Sequence, residues 1–214
     1  MTRLEVLRRI GAAAAATCLW SAAAEGAGEQ GRFAIKGIGI QNCAQFRPAY
    51  EERSQAAFVF AGWVDGYVSA LNRLQAGTFD AAPWQSTDIL LALINNHCAN
   101  NPEARLHEVV RALLTFYAEQ QLADISPPVE AVVGERKVTL YQEVLRRAQL
   151  ALAEQGVYAG AADGVFGPKT QAAFEAFQEK LNLAKTGLPD QQTLYRLFSP
   201  APAPAPAPAP TGAQ

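Results

Sequence analysis

The sequence predicts a mainly α protein with two helical domains, the first pinned by a disulfide and the second a three-helix bundle. Three observations carry this. Apolar residues recur at three- and four-residue spacing in several stretches between Tyr50 and Phe198. Glycine and proline punctuate those stretches where helices should stop and start. An even pair of cysteines, Cys43 and Cys98, remains once an N-terminal export segment is set aside. The 214 residues, 50% hydrophobic and 18% charged, suit one globular domain or two small ones.

Residues 1–24 read as a signal peptide. Arg3, Arg8 and Arg9 make a basic head, Ile10 to Trp20 is apolar, and Ala22-Ala23-Ala24 is a small-residue cleavage site before Glu25. The competing reading is a retained membrane helix, but the run falls short of the ~20 residues a span needs. Arg8-Arg9 leaves twin-arginine export open, and Thr17-Cys18 is a poor lipoprotein site. The mature chain then carries 15 Lys and Arg against 19 Asp and Glu, a net −4. That balance gives no reason to expect nucleic acid or anionic lipid as a partner. Residues 25–37 read as a flexible segment.

Residues 38–125 form the first helical domain. Phe60, Val64, Tyr67 or Val68, Leu71 and Leu74 define one stripe of a helix over Tyr50 to Gln75. Gly62 and Gly66, one turn apart, suggest that a neighbouring backbone approaches there. Ser86 caps a helix over Thr87 to His97. Asn101-Pro102 reads as the start of another, which carries Leu106, Val109 or Val110, Leu113, Leu114 and Tyr117 to about Leu122. In an exported protein Cys43 and Cys98 should oxidise to a disulfide. Such a bridge would stabilise the fold by roughly 4 kcal/mol in the chain-entropy account.

Ser126-Pro127-Pro128 breaks the preceding helix, and residues 126–138 read as an inter-domain linker. Residues 139–198 form the second domain. Tyr141, Leu145, Ala148 and Leu152 mark a helix closed by Gly156, and Pro168 opens a second through Thr170, Phe174, Phe177 and Leu181. Pro189 opens a short third helix through Leu194, Leu197 and Phe198. Between the first two lies Tyr158 to Thr170, whose Asp163-Gly164 pair is turn chemistry. Residues 199–214 are an Ala-Pro tail of extended, polyproline-type character.

The positions Gln149, Gly156-x-Tyr158-x-Gly160, Asp163-Gly164-x-Phe166-Gly167, Thr170, Ala173, Phe177-Gln178, Leu183, Gly187, Thr193 and Leu197 resemble the three-helix peptidoglycan-binding domain. Ala162 departs from its pattern, standing where a branched aliphatic usually precedes Asp-Gly. The resemblance implies a cell-wall partner, the glycan or the stem peptide. Tyr158, Asp163 and Phe166 are the candidate ligand-binding residues, since aromatic faces suit sugar rings and a carboxylate accepts hydroxyls. The alternative is that Tyr158 and Phe166 cover the small core while Asp163 ties the turn.

In the first domain, Cys43, Trp63-x-x-Gly66-Tyr67-x-Ser69-x-x-Asn72 and Cys98-x-x-x-Pro102 resemble small disulfide-bonded periplasmic helical proteins. That group includes HdeA-type chaperones and secretion-system immunity proteins. The resemblance implies a pinned helical domain and a periplasmic protein partner, without fixing an activity.

No catalytic, cofactor or metal constellation stands out. His107-Glu108 lacks the second histidine of a zinc peptidase motif, and His97 and His107 are the chain's two histidines. His97-Cys98 lacks the Ser-His-Gly-Cys setting that cell-wall transpeptidases resemble. Glu51-Glu52 point different ways on a helix, unlike a glycosidase pair. The expected function is an exported, non-enzymatic envelope protein that binds peptidoglycan. The rivals are a chaperone or interaction protein with a structural C-terminal module, and an enzyme whose catalytic domain is the N-terminal half.

Overall fold

The computed structural model describes residues 33–199. The expected signal peptide, most of the flexible segment and the Ala-Pro tail lie outside the described residues. Within them the chain is mainly α, with seven α-helices and one two-stranded hairpin. From Ala34 onward they belong to one compact unit.

The N-terminal half contributes four helices: α1 (Cys43–Glu51), α2 (Gln55–Leu74), α3 (Thr87–Cys98) and α4 (Leu106–Phe116). Asn42 starts α1 with a capping box, its side chain accepting from the Gln45 amide while the Gln45 side chain accepts from the Asn42 amide. The expected long helix from Tyr50 is broken at Arg53, whose φ of 51° is left-handed. The Ser54 amide closes that turn by donating to the Ala49 carbonyl at 3.1 Å. Phe60 and Val64 of α2 are buried as the stripe requires, but Leu74 is exposed. Gly62 and Gly66 are also exposed, and a Cβ on either would meet none of the described residues within 4 Å, so no backbone approaches there. The close approach is instead at Gly39, where a Cβ would lie 2.1 Å from the Trp63 ring.

Ser86 caps α3 as expected, accepting from the Ile89 amide. The next helix starts later than Asn101-Pro102 suggests. The carbonyls of Pro102 and Ala104 are recruited to the first amides of α1, at 2.9 Å each, so this segment makes a turn, closed by the Ala104 amide on the Asn101 carbonyl at 3.1 Å, and not the start of a helix. Asn101 turns back and donates to the His97 carbonyl at 2.8 Å, closing the end of α3. Cys43 and Cys98 form a disulfide between α1 and α3, both sulfurs within a core of Phe46, Phe60, Ile94, Leu106 and Val110.

Residues 126–138 depart most from expectation. Instead of a linker they hold most of a β-hairpin: β1 (Pro128–Val133) pairs antiparallel with β2 (Arg136–Tyr141), with Ala131 opposite Val138. Gly134, at φ 59°, makes the turn. The alternation of Val129, Ala131 and Val133 buries Ala131 fully and packs Val129 and Val138 against the second core. Ser126 then accepts from the Glu143 amide at 3.0 Å and helps start the next helix.

The C-terminal three helices follow the sequence reading closely: α5 (Gln142–Glu154), α6 (Pro168–Lys180) and α7 (Gln191–Phe198). Leu145, Ala148 and Leu152 are fully buried and Gly156, at φ 75°, ends α5. Asp190, rather than Pro189, caps α7, accepting from the Thr193 amide at 2.9 Å. The second core recruits Trp84 and Tyr117 from the N-terminal half, so the two helical groups share packing rather than hanging on a tether.

Candidate functional site

The second helical group is built around two buried glutamines in the same setting. Gln149 on α5 is fully buried. Its Oε1 accepts from the Gly164 amide at 2.8 Å, and its Nε2 faces the Val165 carbonyl at 3.0 Å, Thr170 Oγ1 at 3.1 Å and Asp163 Oδ1 at 3.2 Å. Gln178 on α6 does the same one loop later. Its Oε1 accepts from the Gly187 amide at 2.9 Å, and its Nε2 faces the Leu188 carbonyl at 3.1 Å, Thr193 Oγ1 at 2.9 Å and Thr186 Oγ1 at 2.8 Å. Each glycine is left-handed, at φ 70° and 67°. A Cβ on Gly164 would sit 2.5 Å from the Gln142 carbonyl oxygen, so this turn presses on the start of α5. A carboxamide offers a donor and an acceptor side by side, which lets one side chain replace the backbone pairing that a tight loop lacks.

The candidate trio sits on the first of these loops. Asp163 is exposed, yet its Oδ1 is engaged by the Val165 amide at 2.9 Å and by Gln149. Those two hydrogen bonds, the backbone one first, hold its carboxyl below the usual carboxylate range. Tyr158 donates its hydroxyl to the Ala161 carbonyl at 2.7 Å. Its ring lies over Gly160, where a Cβ would clash at 2.4 Å. Tyr158 and Phe166 are half-buried against the second core. All three residues thus have work within the loop. What they leave outward is part of two aromatic rings and the second carboxylate oxygen, Oδ2, of Asp163.

Around α5 a charged cluster joins the two helical groups. Glu143 accepts from Arg146 at 2.6 and 2.7 Å and from Arg147 at 3.0 Å. The Arg146 hydrogen bond, then that of Arg147, holds the Glu143 carboxyl at about 2 against an ordinary 4.5, with partial burial opposing. Arg147 also donates to the Gln120 carbonyl at 2.6 Å, which closes the 3-10 turn after α4. Gln120 in turn accepts from the Trp84 indole at 2.6 Å and donates to the Phe198 carbonyl at 2.8 Å. Gln191 clasps the loop before α3: its Nε2 donates to the Trp84 carbonyl and its Oε1 accepts from the Ser86 amide, both at 2.8 Å. Sequence reading singled out none of Gln120, Arg147 or Gln191, because the partners through which they join the two helical groups lie 26 to 107 positions away.

The remaining chemical candidates are dispersed. Cys98 is bonded to Cys43 and is not a free thiol. His97 is exposed at the end of α3, while a ring nitrogen of His107 lies 3.3 Å from the Gly39 carbonyl. Glu51 pairs with Arg47. Among the described residues no group of three His, Cys, Asp or Glu side chains is placed to hold a metal ion, and no helix is long and apolar enough to cross a membrane.

The comparisons with known proteins address one part of the chain. Neither the curated proteins nor the solved structures contain a match. The likeness of the N-terminal half to HdeA-type chaperones finds no support in them. Residues 141–197, which span α5 to α7 and both glutamine-centred loops, match the family model of a peptidoglycan binding domain.

Proposed function

We propose that this is an exported, non-enzymatic protein that binds peptidoglycan through residues 139–198 and carries its N-terminal helical group to the cell envelope. The observation behind this reading is the family match over 141–197, which coincides with a complete three-helix bundle. The disulfide suits the oxidising compartment that such a role requires. The binding surface includes the Tyr158–Phe166 loop, with Asp163 Oδ2 and the outer ring faces as its contacts. Because Trp84 and Tyr117 pack into the second core, the N-terminal group is held in a fixed pose on the binding module.

Sedimentation with purified sacculi tests the loop. Asp163→Asn keeps the turn-forming oxygen and removes the charge, and it should weaken binding about tenfold if the carboxylate makes a charged contact. Tyr158→Ala should weaken it as well. Unchanged pelleting of both folded variants beside a wild type that pellets would remove this loop from the site.

A further inference from the structure

The structure holds a second surface with an unpaired polar side chain, lined mostly by residues that precede the segment matching the family model. A cleft of about 390 Å³ opens between the loop before α3, β2 of the hairpin and α7. Val138, Leu140 and Leu194 give it apolar walls, and Tyr141 adds an aromatic one. Gln85 also lines it. This side chain is nine-tenths buried, and neither its Oε1 nor its Nε2 has a hydrogen-bond partner among the described residues; both atoms are covered in this rotamer, so pairing with a ligand in the cleft requires the side chain to turn outward.

An orphaned buried carboxamide is rare, because each unpaired polar atom costs free energy that an apolar side chain of the same size would not. The other buried glutamines here, Gln149 and Gln178, are saturated with partners. The neighbouring Gln191 does not pair with Gln85; its amide is turned to the Trp84 carbonyl and the Ser86 amide. That clasp also shows what a carboxamide does at this place: it bonds a peptide carbonyl and a peptide N–H together.

We infer that the Gln85 cleft is a binding subsite for an amide group, with Gln85 as its specificity-determining residue. The ligand presents a carbonyl and an N–H beside small apolar groups that fit the Val138, Leu140 and Tyr141 walls. Two sources share that chemistry in a cell-wall polymer: the acetamido group of an N-acetylated sugar and the peptide bond of a stem peptide. The inference rests on the peptidoglycan reading for the ligand's origin but not for the site's chemistry.

The test is calorimetric titration of the full chain with three probes: tetra-N-acetylchitotetraose, the amide-free cellotetraose, and N-acetyl-alanyl-alanine methylamide. The inference expects an amide-bearing probe to bind and cellotetraose not to. Binding by the sugar probe assigns the acetamido source, and binding by the peptide probe assigns the stem. Gln85→Met, close in size and without polar atoms, should weaken that binding about tenfold or more while leaving Tm equal or higher. Thr139→Trp, at an exposed position on the rim, should block the cleft without unfolding the chain. Equal binding by Gln85→Met, equal binding of cellotetraose, or no binding of either amide probe would overturn the subsite. Sedimentation with sacculi separates the two proposals. Wild type that pellets but binds neither amide probe loses the cleft and keeps the wall-binding function. Wild type that binds a probe but fails to pellet keeps the cleft and loses that function.

Discussion

Replacing Gln149 by leucine would remove the pin from the first loop without opening a large cavity. The bonds lost can be enumerated. Oε1 gives up the buried Gly164 amide at 2.8 Å, and Nε2, with two protons for three acceptors at 3.0 to 3.2 Å, gives up two more at full strength. At ~1 kcal/mol each these amount to about 3 kcal/mol. The Thr170 hydroxyl keeps the Val165 carbonyl at 3.3 Å, but the Gly164 amide is stranded, which adds about 1–3 kcal/mol. Leucine returns part of this by apolar burial, leaving a net loss of about 3–5 kcal/mol. Urea denaturation followed by circular dichroism measures it. Gln178→Leu should cost a similar amount, because its hydrogen bonds repeat the same pattern. Exposed Gln155→Leu is the control and should stay within about 0.5 kcal/mol of wild type. A loss below about 1 kcal/mol for Gln149→Leu would refute the argument that these amides hold the loops.

Other outcomes follow from the junction and the disulfide. Glu143 has a depressed carboxyl, so its stabilisation is complete above its ordinary 4.5 and is lost as pH falls through about 2. After discounting for its partial exposure this is about 1–2 kcal/mol, and Glu143→Gln should flatten the acid limb of a Tm-versus-pH curve by that much; an unchanged limb would argue against it. Gln191→Ala frees the Ser86 amide and Trp84 carbonyl, costing about 2 kcal/mol, and should speed hydrogen exchange at Ser86; unaltered protection there would contradict the clasp. The double variant Cys43→Ala, Cys98→Ala should lose about 4 kcal/mol in chemical denaturation, and a loss near zero would show that the bridge constrains little.

The C-terminal helices were legible because each signal was local. Gly156, Pro168 and the apolar faces of α5 and α6 act within a few residues, and short-range stereochemistry dictates them. The start of α4 was misread for the opposite reason. Asn101-Pro102 is good helix-start chemistry locally, but the amides of α1, nearly 60 residues earlier, claimed the carbonyls of Pro102 and Ala104. The hairpin was hidden behind Ser126-Pro127-Pro128, which reads as a breaker. Pro128 is tolerated because it is the first residue of a strand in a two-stranded sheet. Of the candidate site, Tyr158, Asp163 and Phe166 do lie on one loop, yet their roles as ring cover and turn tie show only when partners are seen. Gln85 could not be found in sequence at all, since what distinguishes it is the lack of a partner in three dimensions.

The central claim is that this chain holds to peptidoglycan. The most direct measurement is co-sedimentation of the full chain with purified sacculi at physiological ionic strength, with soluble fragments of the same sacculi as competitor. The account predicts saturable pelleting that the fragments abolish. Pelleting no greater than that of an unrelated acidic protein of similar size, or pelleting indifferent to the fragments, would contradict it.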